Sequence, residues 1–194
     1  MAAQIALASD VVIKNARLFD GQDVRETFFS VGISRETIDS VTTSAVEASK
    51  EIDAAGRFLM PGLIDCHLHL CDFFHVTDES TMEAYVSQEL PGHLMSLLAA
   101  GVTSIKSVGD PEDHVLQIRD RLAKGTLRGP RLFATGPCFT ALESHPATTV
   151  YGQNPWYRKR AAVETESPAE AREVLVASHL TARGGALITG RAAT

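Results

Sequence analysis

The sequence lacks the features that mark membrane, secreted or nucleic-acid-binding chains. It has no apolar run near the roughly 18–20 residues that a membrane-spanning helix needs, and its N-terminus has no basic region of the signal-peptide kind. Three cysteines are an odd number, which disfavours a disulfide framework and indicates a reduced, cytoplasmic setting. The net charge of −6 gives no general attraction to phosphate backbones. We therefore expect no membrane and no nucleic-acid partner.

What is present is the composition of a globular protein. The 194 residues are 44% apolar and 22% charged, and the length predicts little more than one domain. The first 60 residues contain short β-branched and aromatic runs with a turn signal at Asp20-Gly21. From residue 61 onward, short apolar runs alternate with helical patterns. This change predicts an N-terminal β unit over residues 1–60 and a second domain over residues 61–194.

The second domain has the pattern of an α/β fold. Predicted strands lie at 63–69, 103–109, 131–136 and, more weakly, 186–189. A leucine stripe predicts a helix from Leu90 that Pro91 breaks or restarts and Gly101 ends, and Asp110 is the predicted N-cap of a helix that ends at Gly125. A further helix begins with a capping box at Ser167. This alternation predicts about four strand–helix units with parallel strands.

One motif carries chemistry: Asp65, His67 and His69 at the end of the first of these strands. Because strand side chains alternate, the three are expected on one face. Two imidazoles on one face can hold a single metal ion, and zinc suits them. Asp65 is then a candidate to accept a hydrogen bond from one of these histidines and so fix its tautomer. The plainer alternative is a pair of histidines that alternate by chance.

The motif resembles a known family. Residues 60–69 (MPGLIDCHLH) look like the first-strand signature of the amidohydrolase superfamily, most closely its imidazolonepropionase-like and prolidase-like branch. Residues 12–21, 52–59 and 100–104 are similar to that family's opening β-sandwich strands, its last strand before the barrel and its entry to the second barrel strand.

The resemblance implies an α/β fold: an N-terminal β-sandwich-like segment followed by the first half of a TIM-type (β/α) barrel. It implies a metal-dependent hydrolase that acts on carbon–nitrogen bonds of a small-molecule substrate, such as a cyclic amide or an Xaa-Pro dipeptide. It assigns His67 and His69 as ligands of a divalent metal, most readily zinc, and His145 to substrate binding.

The chain also departs from the family pattern. Thr189 stands where the family has a bridging lysine, and threonine cannot be carboxylated. The expected proton-shuttle aspartate lies beyond residue 194, so no catalytic residue is assigned. The part after Pro61 is shorter than the roughly 200 residues of a small complete barrel. These points predict a truncated chain, a misjoined gene product or half of an assembly that pairs with another copy or a complementing chain.

Two other interpretations stay open. The first is an inactive fragment that binds metal weakly or pairs with another chain. A third ligand would decide against it, and the local candidates are Asp65, Cys71 and His145. The second is a small open α/β binding domain in which the histidines are incidental. The segment after His69 has no glycine-rich phosphate loop, which disfavours nucleotide binding.

Overall fold

The computed structural model describes residues 9–179 and 187–188, and its fold is mixed α/β. The chain forms two compact units, Met1–Pro61 and Gly62–Thr194. Within the described ranges, no helix is long and apolar enough to cross a membrane.

The first unit is a five-stranded mixed sheet. Its order is β3-β2-β1-β4, with β5 also paired to β1. β1, β2 and β3 run antiparallel, whereas β4 and β5 lie parallel to β1. The strands are β1 Ser9–Phe19, β2 Val24–Ser34, β3 Thr37–Thr42, β4 Ala48–Asp53 and β5 Phe58–Leu59.

The first strand is longer than its sequence indicates. Two short runs near residues 11–13 and 17–19 predict separate strands, but β1 joins them. Its pairing with β2 shifts between Ile13 and Ala16, and Asn15 between them has φ 56°. Asparagine adopts this left-handed conformation more readily than most residues. The irregularity therefore lies within one continuous strand, where the sequence indicates a break.

The second unit alternates strands and helices. Its strands are β6 Leu63–Leu68, β7 Val102–Ser107, β8 Arg131–Ala134, β9 Cys138–Ala141, β10 Ala162–Thr165 and β11 Leu187–Ile188. Its helices are α1 Glu79–Ala84, a π-helical turn Tyr85–Glu89, α2 Leu90–Ala99, α3 Glu112–Ala123, α4 Pro155–Ala161 and α5 Pro168–His179.

The predicted parallel pairing is confirmed. The sheets β6-β7-β8 and β10-β9-β11 contain parallel pairs only, among the residues that the structure describes. β9, β10 and α4 have no counterpart in the sequence prediction. β11 covers the middle of the fourth predicted strand, whereas Thr189 lies outside the described residues.

Two predicted helix ends follow their local signals, and one does not. Gly101 and Gly125 have φ of 84° and 71° and lie just after α2 and α3, as predicted. Pro91 lies in the first turn of α2, directly after the π-helical turn. The prediction for Asp110 is wrong, because Pro111 occupies the N-cap of α3 and no side chain caps this helix.

Helices α2 and α3 pack on one face of the sheet β6-β7-β8. The core there includes the fully buried side chains Leu94, Ile105, Val115 and Ile118. On the opposite face Ile64 is 66% exposed. Because the three strands are parallel, their carboxyl ends lie at the same edge, and this edge holds the histidine motif.

Candidate functional site

The histidine motif begins in an irregular part of β6. Asp65 and Leu68 are three residues apart but pair with Ile105 and Ser107 of β7, which are two apart. β6 therefore contains one extra residue, as in a β-bulge, and a bulge changes the direction of nearby side chains. The strict alternation expected from Asp65 to His69 does not hold through this segment.

His67 and His69 lie together at the end of this strand. Their ring centroids are 5.6 Å apart and the planes are nearly perpendicular, at 82°. Both residues are exposed. His69 also contacts the edge of Phe73, with centroids 6.0 Å apart. Two imidazoles at this separation fit a chelating pair for a metal that prefers nitrogen ligands.

Asp65 contacts the backbone. Its Oδ1 accepts a hydrogen bond from the backbone N–H of His67 at 3.0 Å. The bond closes a short side-chain turn over the bulge and so restrains the chain at His67.

The other local candidates for a third metal ligand do not form a cluster with the two histidines. Over residues 9–179 and 187–188, no group of three or more His, Cys, Asp and Glu side chains could hold a metal ion. Cys71 is buried, and burial together with the charge of Asp110 raises the pKa of its thiol well above the ordinary value. The donor set described here is therefore the histidine pair.

His145 lies in the loop after β9. Its Nδ1 is 2.6 Å from Thr149 Oγ1, and its carbonyl accepts a hydrogen bond from Thr140 Oγ1 at 2.7 Å. The side chain is exposed. The loop therefore holds the His145 backbone to β9 and leaves the imidazole partly open to solvent.

Asp110 is a functional candidate that the sequence analysis missed. It is completely buried in the segment just after β7, and its carboxylate accepts hydrogen bonds from the backbone N–H groups of Leu70 and Cys71 at 2.8 and 3.2 Å. Burial raises the pKa of Asp110, while these bonds oppose that shift. Its position before a proline and a helix is a strong capping signal, and that local signal concealed the long-range role.

A solvent-exposed acid–base pair follows the motif. His75 Nδ1 lies 2.6 Å from Asp72 Oδ2. The hydrogen bond and the negative charge of Asp72 raise the pKa of the His75 imidazole above its ordinary 6.5. The folded chain thus keeps this proton to higher pH than the unfolded chain does.

We expect the Asp72→Asn substitution to return the pKa of His75 toward 6.5. In the wild-type chain, the stabilisation from this pair is complete below the unfolded-state pKa of His75, as long as Asp72 remains ionised. It is lost as pH rises through the folded-state pKa of His75. An NMR titration of the His75 ring proton measures the shift directly. The same pKa in both proteins would show that the contact does not form in solution.

Comparisons with known proteins place the chain in a family. The family model described as the Amidohydrolase family matches residues 58–192. L-hydantoinase of Paenarthrobacter aurescens is 43% identical over 63 residues, which cover 32% of this chain and 14% of that protein. Imidazolonepropionase of Vibrio vulnificus strain YJ016 is 29% identical over 131 residues, which cover 50% of this chain and 32% of that protein.

A solved structure is similar to this chain in fold. A prolidase complexed with N-methylphosphonate-L-proline superposes with a TM-score of 0.69 at 21% identity, covering 92% of this chain and 46% of that one. The chain therefore spans less than half the length of these relatives. The family model covers more than half of the sequence and includes the histidine motif, so this chain belongs to the Amidohydrolase family.

Proposed function

We propose that this chain carries the first two metal ligands of a hydrolase that acts on carbon–nitrogen bonds. The observation behind the proposal is the exposed pair of His67 and His69 rings, 5.6 Å apart, at the carboxyl end of a parallel strand. Sites of strand–helix barrels lie at this end of their strands. The names of the relatives support a cyclic amide or an Xaa-Pro dipeptide as the substrate class.

The metal would be a divalent ion, and zinc fits the two imidazole donors best. When bound, such an ion supplies Lewis-acid activation of water at neutral pH. Zinc sites take three or four protein ligands. The further ligands in this proposal come from residues beyond those described or from another chain. The likeness to complete amidohydrolases supports residues 61–194 as the first half of a TIM-type barrel.

Two other residues have supporting roles in this proposal. Asp65 holds the backbone at His67, which keeps the imidazole directed to solvent. His145 contacts the substrate from the loop after β9, where its ring is exposed. The competing function is a non-catalytic chain that binds metal weakly or pairs with another chain. It is supported by the described residues, which bring together no group of three or more metal-ligand side chains.

We expect the purified chain to bind Zn²⁺, and His67→Ala/His69→Ala to reduce the metal content at least tenfold, to background. Metal per chain is measured by mass spectrometry after equilibration with Zn²⁺ and gel filtration. His75→Ala is the matched control, since it removes another exposed histidine of the same unit. It should retain the metal.

Equal metal in the wild-type chain and the double variant would contradict the assignment of the ligands. If the metal is lost as expected, hydrolysis is assayed with hydantoin and with Xaa-Pro dipeptides. Turnover that disappears in the double variant supports the hydrolase. Bound metal without turnover of either substrate supports the non-catalytic alternative.

A further inference from the structure

The two residues that follow His69 are held by side chains from three separate elements. The N–H groups of Leu70 and Cys71 donate to the two carboxylate oxygens of Asp110 at 2.8 and 3.2 Å. The Leu70 carbonyl accepts from Tyr85 Oη at 2.7 Å, and the Cys71 carbonyl lies 3.3 Å from Tyr157 Oη, whose single proton it shares with Asp110. All four backbone polar groups of this buried dipeptide therefore bond to side chains. We name Asp110, Tyr85 and Tyr157 the buried clamp.

Asp110 is the centre of the clamp. Besides the two amides, its carboxylate accepts hydrogen bonds from Ser107 Oγ and from Tyr157 Oη, the latter at 2.7 Å. A buried carboxylate is costly unless its oxygens are fully bonded, and here four neutral donors satisfy it. The same four donors leave little freedom to the carboxylate, so it fixes the positions of the two amides.

The end of β7 also holds the other side of His69. The N–H of Val108 donates to the carbonyl of Leu68 at 2.9 Å. The residues before and after His69 are therefore both bonded to the short segment of Val108 to Asp110. Between them, Gly109 has φ +69°, and a Cβ there would lie 3.5 Å from the His69 ring. The backbone of this segment thus passes close to the imidazole.

We propose that Asp110 is a positioning residue that fixes the orientation of His69 relative to His67. The bonds on both sides of His69 set its backbone torsions, and the direction of the side chain follows from them. This inference rests on the proposed function for its link to metal binding, although the ring orientation itself does not need a metal. The competing explanation is a buried network that only stabilises the fold.

Two measurements on the full chain separate these explanations. In the metal-free protein, the nuclear Overhauser effect between ring protons of His67 and His69 reports their mutual orientation. In the loaded protein, Co²⁺ titration gives the dissociation constant and the visible absorption spectrum. We expect Asp110→Asn to abolish the ring contact, to change the spectrum and to weaken Co²⁺ binding about tenfold to hundredfold.

The control must be destabilised without touching the clamp's contacts to the dipeptide. Ile118→Ala serves, because Ile118 is fully buried in α3 and its apolar side chain makes no hydrogen bond to the dipeptide or the clamp. It should keep the ring contact and the Co²⁺ affinity. If Asp110→Asn does not fold, Tyr85→Phe removes the bond to the Leu70 carbonyl and is expected to show the same changes to a smaller degree.

The outcomes are distinguishable. An unchanged ring contact in the substituted clamp, together with Co²⁺ affinity within twofold of wild type, would overturn the positioning role. Losses of equal size in Ile118→Ala would overturn it also, because they would follow from instability alone. If the wild-type chain binds no Co²⁺, the proposed function fails, and the metal-free ring contact still decides the role of Asp110.

Discussion

Replacing Asn154 with alanine is expected to lower the free energy of unfolding by about 3 kcal/mol. The side chain is only 8% exposed, and its amide makes three hydrogen bonds. Its Oδ1 accepts from the N–H of Tyr157 at 3.0 Å as the N-cap of α4, and its Nδ2 donates to the carbonyls of Phe73 and Val76 at 3.0 and 2.7 Å. Each buried polar group left without a partner costs about 1–3 kcal/mol.

Urea denaturation followed by the fluorescence of Trp156 measures this change. Trp156 is the single tryptophan and lies in α4, so the signal comes from the unit that contains Asn154. Asn154→Asp is the informative companion. It keeps the cap acceptor but has no N–H to donate, and we expect it to be at least as unstable as the alanine variant, since its charge faces two carbonyl oxygens. Wild-type stability in both variants would contradict the bonding described here.

Gly152→Ala is expected to destabilise the same unit by about 2–3 kcal/mol. A Cβ at this position would lie 2.2 Å from the carbonyl oxygen of Thr148 and 3.1 Å from its carbon. Both atoms belong to the backbone, so the clash is relieved only by moving the turn, and forced overpacking costs about 1–3 kcal/mol. The turn includes Tyr151, whose hydroxyl donates to the carbonyl of Gly109. A shift there would therefore reach the segment beside His69.

Gly92→Ala is the matched control for this prediction. Gly92 lies inside α2, and a Cβ there meets no atom within 4 Å. Alanine at such a helix position stabilises by about 0.5–1 kcal/mol, because it reduces the freedom of the unfolded chain. The same urea experiment should therefore give changes of opposite sign. Equal changes at Gly152 and Gly92 would contradict the close contact with Thr148.

The predicted features that the structure confirms rest on local signals. Gly101 and Gly125 end helices because glycine adopts a left-handed φ at little cost, and that requirement is readable in the sequence. The His67 and His69 pair is two residues apart at a strand end, so its proximity needs no knowledge of distant segments. The family membership rests on a match over residues 58–192, which include this motif.

The features that the sequence analysis missed depend on distant partners. Asp110 has the local pattern of an N-cap, yet its carboxylate bonds to amides 39 and 40 residues away. Asn154 caps α4 and also bonds to carbonyls 81 and 78 residues away. The strands β9 and β10 are four residues long, and such short segments give little periodicity to recognise.

The sequence by itself determined the class of fold, the helix ends at Gly101 and Gly125 and the position of the two histidines at a strand end. The tertiary structure decided how those histidines are held: the extra residue in β6, and the capture of Leu70 and Cys71 by Asp110. The physical reason is that a short polar side chain can bond locally or across the fold. Burial decides between these choices, because every polar group that leaves water must find a partner.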